Sequence, residues 1–89
     1  MRVKNLNGTS DAKLPVGCES WKNFYMLRRS WPSSCACLTC SNKAEVGAHV
    51  KKVGANDSSW YIAPLCRYHN NQFGKELEVV GNWLEPIRK

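Results

Sequence analysis

Two pairs of soft metal ligands, each with two residues between its members, bracket the middle of this 89-residue chain: Cys37-Leu-Thr-Cys40 and Cys66-Arg-Tyr-His69. A pair at this spacing can hold one ion from a single turn. Two such pairs complete a shell of three thiolates and one imidazole, the set that zinc takes in closed structural sites. Cys35 crowds the first pair. Cys37 with Cys40 has the usual knuckle spacing and is favoured, while Cys35 with Cys40 needs a wider loop. Cys18 stands far from both pairs and reads as a small buried hydrophobe.

A bound ion matters more in a chain of this size than in a larger one. Eighty-nine residues accommodate a single domain, residues 1–89. A core this small stabilises weakly unless something staples it, and a metal is one such staple. No signal peptide or membrane span can be read, so the expected location is the cytoplasm. Thiols there stay reduced, and five cysteines, an odd number, point to metal binding rather than a disulfide framework. The formal charge is +6. Three thiolates and a divalent ion would bring it to about +5. That balance favours anionic partners, DNA or RNA first among them.

The rest of the chain reads as short elements. Met1 to Leu6 alternates weakly and is followed by the turn signal Asn7-Gly8, so a short first strand is expected. Ser20 caps a helix carrying Trp21, Phe24, Tyr25 and Arg28, which Pro32 ends. Residues 33–43 are short, polar and cysteine-rich, as suits a metal-binding knuckle. Glu45 to Val53 reads as a strand with Val46, Ala48 and Val50 on one face and His49 on the other. After a loop at residues 54–59, Trp60 to Ala63 reads as a second strand, pairing with the first as an antiparallel hairpin. Pro64 opens a helix from Leu65 to Phe73, with Gly74 as its stop. Cys66 and His69 then share one helical face and can meet one ion. Leu77, Val79, Trp83 and Leu84 do not choose between strand and helix.

The cysteine pair, the strand holding Ala48-His49-Val50 and the run Pro64-Leu65-Cys66-Arg67-Tyr68-His69-Asn70 together resemble the zinc-stapled members of the HNH endonuclease family. The resemblance spans residues 35–75. It implies an α+β fold of the treble-clef or ββα-metal kind, in which a zinc knuckle, a β-hairpin and a helix form the core, here with an additional N-terminal helix. In that family the strand histidine is the general base, and His49 matches it. A helix histidine or asparagine helps hold a catalytic divalent ion, and Asn70 matches the asparagine variant. An asparagine in the hairpin loop orients the base, and Asn56 is its counterpart. The family's metal-holding aspartate is replaced by Ala48, which offers no hard oxygen to a magnesium ion; Asp57 in the loop is a further acidic candidate.

Three readings of His49 follow: a general base, a zinc ligand in place of a crowded cysteine, or a strand histidine bonded to backbone. The loss of the aspartate favours a non-catalytic zinc module interacting with nucleic acid through Arg28, Arg29, Lys51, Lys52 and Arg67. The alternatives are an active Mg2+-dependent nuclease and a protein-interaction module using Trp21, Trp31, Trp60 and Trp83.

Overall fold

A computed structural model describes residues 1–6, 16–54, 59–72 and 74–87. The turn signal Asn7-Gly8, the loop residues Asn56 and Asp57, and Phe73 lie outside the described residues. Among the described residues five strands form one sheet: β1 (Arg2–Asn5), β2 (Val46–Lys52), β3 (Trp60–Leu65), β4 (Glu76–Glu78) and β5 (Glu85–Pro86). Their order is β4-β1-β2-β3-β5, and each neighbouring pair is antiparallel. The hairpin of β2 and β3 is the centre, with Ala48 opposite Ala63 and His49 opposite Ile62. The chain is therefore α+β, as expected, and the short first strand lies between β2 and β4.

Strand alternation divides the side chains between two layers. On one side Val3, Ala48, Val50, Ala63 and Leu65 pack with Cys35, Ala36 and Cys37 of the knuckle. On the other, Ile62 is buried beneath Phe24 and Tyr25 of α1 (Trp21–Met26). Ser20 caps α1 as its sequence position suggests, its Oγ accepting from the Asn23 amide at 3.0 Å. The helix ends well short of Pro32. The Arg28 and Arg29 amides both turn back to the Tyr25 carbonyl, which tightens the last turn and breaks the helical repeat. Tyr25 Oη then donates to the Trp83 carbonyl at 2.8 Å, tying α1 to the segment after β4, and Trp31 Nε1 donates to that of Ala44 at 3.0 Å, tying the chain that follows α1 to the start of the hairpin.

The segment after the hairpin departs from expectation. Pro64 belongs to β3, opposite Gly47, instead of opening a helix. Its carbonyl accepts from the Ala36 amide, so its backbone edge points away from β2 and the missing N–H removes no hairpin bond. Cys66 becomes the N-cap of α2 (Arg67–Asn70), a single turn rather than a helix reaching Phe73. Asn5 supplies the reason. Its fully buried amide donates to the carbonyls of His69, Asn70 and Gln72 at 3.1, 2.9 and 3.3 Å, drawing the chain out of the helix. Gly74 then takes a left-handed conformation, φ +75°, and its amide returns to the Asn5 carbonyl.

Gly47 sets how closely α1 can lie on the hairpin. A Cβ there would stand 2.9 Å from both the Lys22 nitrogen and the Trp21 carbonyl carbon, backbone atoms that cannot swing away. Gly47→Ala should therefore destabilise the fold by about 1–3 kcal/mol. Urea titration measures this, and a midpoint equal to that of the parent chain would contradict the close approach.

Candidate metal centre

The knuckle is held by backbone bonds reaching across the molecule. The Cys35 amide donates to Asn42, that of Leu38 to Glu78 and that of Val80 to Ala36. Residues 37–40 make a tight turn, with the Cys40 amide on the Cys37 carbonyl at 3.2 Å and Thr39 left-handed at φ 67°. A β-branched residue is strained there, and the surrounding pairing enforces it.

Four donor atoms converge where this turn meets the start of α2. The ligand atoms of Cys35, Cys40, Cys66 and His69 all lie within 4.8 Å of one another. Cys40 Sγ is 3.9 Å from Cys66 Sγ, and His69 Nδ1 is 3.7 Å from Cys35 Sγ and 3.3 Å from Cys66 Sγ. Zinc–sulfur bonds of about 2.3 Å and zinc–nitrogen bonds of about 2.0–2.1 Å give tetrahedron edges of roughly 3.8 Å (S–S) and 3.5 Å (S–N). The measured separations bracket those edges. The four residues are placed to bind one metal ion, and the donor set is consistent with zinc.

Of the favoured ligands, Cys40, Cys66 and His69 are in this group and Cys37 is not; its place is taken by Cys35. Backbone pairing decides between them. Cys35 pairs with Asn42 and Ala36 with Pro64, which holds residue 35 beside the β3–α2 junction. Cys37 bridges instead to Val79, beyond β4, and is buried in the apolar layer. Burial, and then the neighbouring Cys35 sulfur, push its thiol up to about 12, so it stays protonated.

The other thiols show what the site needs. Burial raises the Cys35 thiol, an effect that amides of Cys66 and Cys37 only partly offset. Burial also opposes ionisation of Cys66, but there the His69 amide, the His69 ring and the Asn42 side chain win and bring it down to about 7. Asn42 Nδ2 stands 3.8 Å from the Cys66 sulfur, a neighbour to the ligand set that no spacing rule would have flagged. Gathering three thiolates requires a cation, because each ionised sulfur makes the next harder to ionise.

His49 stands on the other face of the sheet, away from this group. The residue is 5% exposed, and its imidazole packs edge-on to Trp21 and Trp60, at centroid distances of 4.7 and 5.8 Å. Nε2 has no hydrogen-bond partner among the described residues, and burial lowers its pKa below the usual 6.5. Ala48 faces the knuckle layer, buried, and Asn70 is half-buried on α2.

Most of the expected phosphate-binding residues are engaged within the fold. Arg28 lies over the Phe24 ring at 3.7 Å, and Lys52 over Tyr61 at 4.7 Å. Arg29 donates to the carbonyls of Asn82 and Leu84, and Arg67 pairs with Glu45 at 3.4 Å. Trp21, Trp31, Trp60 and Trp83 are all half-buried; the large exposed apolar side chains include Met26, Leu27, Leu38 and Tyr68 instead. No described helix is long and apolar enough to cross a membrane.

No family model, curated protein or solved structure matches this chain.

Two measurements test it. Cys37→Ser should retain about one equivalent of metal per chain, whereas Cys35→Ser, Cys66→Ser and His69→Ala should lose it. Elemental analysis of the purified variants reads this directly; loss in Cys37→Ser with retention in Cys35→Ser would reverse the assignment. Acid should also weaken the fold through His49. Its folded-state pKa lies below 6.5, so on acidification the unfolded chain takes up a proton that the folded chain refuses. Stability must fall as pH drops from 6.5 toward the folded-state value. His49→Leu should show a shallower acid slope than the parent in paired urea titrations, with the metal-dependent part common to both.

Proposed function

We propose that this chain is a zinc-stapled, non-catalytic module, a degenerate relative of treble-clef HNH proteins, that binds nucleic acid through its basic surface. The observation that carries the reading is the convergence of Cys35, Cys40, Cys66 and His69 at the junction of the knuckle, the hairpin and α2. Those residues would hold zinc, whose work here is to fix the knuckle against the hairpin. The order of knuckle, hairpin and helical turn supports the treble-clef interpretation.

Two features speak for a non-catalytic role. A methyl group at Ala48, buried in the knuckle layer, provides no ligand for a hydrolytic cation. The His49 imidazole is buried and packs edge-on against two tryptophans, a poor position for activating a water. The nucleic-acid part rests on the charge of +6 and predicts binding that weakens steeply with salt.

Incubation with plasmid and magnesium or manganese should leave the DNA intact, while a duplex mobility assay at low ionic strength should show binding. Cleavage that disappears in His49→Ala would establish a nuclease instead. Absence of binding even at low salt would remove the nucleic-acid reading and leave a metal-stapled interaction domain. Chelation should loosen the fold, and a chain indifferent to EDTA would remove the zinc.

A further inference from the structure

The face of the sheet that α1 only partly covers carries two adjacent cations. Lys4 on β1 and Lys51 on β2 are direct cross-strand partners. Such residues project to the same side with Cβ atoms about 4.5–5.5 Å apart, and like charges so placed repel. That side is the one holding His49, two residues from Lys51 along β2. α1 lies against β2 and β3, leaving Lys4 exposed and Lys51 half-buried. Among the described residues neither lysine forms an ion pair. Glu76, across from Lys4 on β4, lies 3.9 Å from Arg2, while Glu78 pairs with Arg2 and with the terminal ammonium of Met1. The row across the sheet thus runs acid, lysine, lysine, tryptophan, with Trp60 opposite Lys51.

We propose that Lys4 and Lys51 together clamp a backbone phosphate of single-stranded nucleic acid laid across this sheet face. The proposal rests on the nucleic-acid reading above and says which form is bound and where. Retaining two opposed ammonium groups costs stability in the free protein, and an anion between them turns repulsion into attraction. A phosphodiester backbone carries one charge per nucleotide, so a single phosphate can sit between the two ammonium groups. A single strand can follow an open sheet face, whereas a duplex is convex and touches such a surface along a line.

Fluorescence anisotropy with a labelled oligothymidylate, and with a hairpin duplex of equal phosphate count, tests this in the zinc-loaded chain. Lys4→Glu with Lys51→Glu should weaken strand binding roughly tenfold and reduce the salt slope by about 1. Lys43→Glu with Lys75→Glu changes net charge equally at exposed positions off this face and should do much less. Lys51→Glu alone should raise the melting temperature, by setting a carboxylate opposite Lys4 with only Trp60 across its other edge, while lowering affinity. Opposite movement of the two readouts is what a ligand clamp predicts and a structural pair does not. Equal losses in the two double variants would overturn the proposal. Duplex binding without strand binding would also overturn it and leave the broader reading intact; binding of neither would end both.

Discussion

Three cysteine sulfurs and an imidazole nitrogen within 4.8 Å of one another form a cluster that repels itself once its thiols ionise. Much of the molecule serves to make that cluster unavoidable. The Cys35 and Ala36 amides anchor the knuckle to Asn42 and Pro64, the strained turn at Thr39 brings Cys40 back, and the first turn of α2 places Cys66 and His69 together. None of these segments is long enough to be stable alone. A cation at their meeting point would convert that repulsion into a tie between them, adding to what the small core supplies.

The sheet separates this chemistry from everything on its far side. Alternation along β2 sends Ala48 toward the knuckle and His49 toward α1, so adjacent residues inhabit unrelated environments. His49 Nε2, buried without a partner among the described residues, costs about 1–3 kcal/mol relative to a satisfied group. The edge-on contacts with Trp21 and Trp60 return part of that. Gly47 is the condition for this packing, since only a residue without a side chain admits the α1 backbone so near the hairpin.

Local signals were easy to read in this chain and distant ones were not. The Ser20 cap, the alternation of Val46, Ala48 and Val50 against His49, and the pairing of β2 with β3 all follow from neighbours a few residues apart, and the structure has them. The choice of Cys35 over Cys37 depends on Asn42, Pro64 and Val79, none of which lies in the motif. Pro64 looked like a helix start because that is its commonest local meaning; its place in β3 depends on a carbonyl bond to the knuckle. Asn5 gave no signal at all. A buried amide in a strand that gathers three carbonyls from residues 69–72 can be recognised only once both ends of the chain are together.

The strand order has a further consequence. β4 and β5 flank opposite margins of the sheet, yet both come from the short stretch between Glu76 and Pro86. That stretch is rich in carboxylates and ends in a proline, residues that discourage a foreign strand from adding to an open margin. One contiguous tail thus acts as guard rail on both sides. Were it detached, β1 and β3 would be bared simultaneously, and a self-limiting sheet would become one able to polymerise.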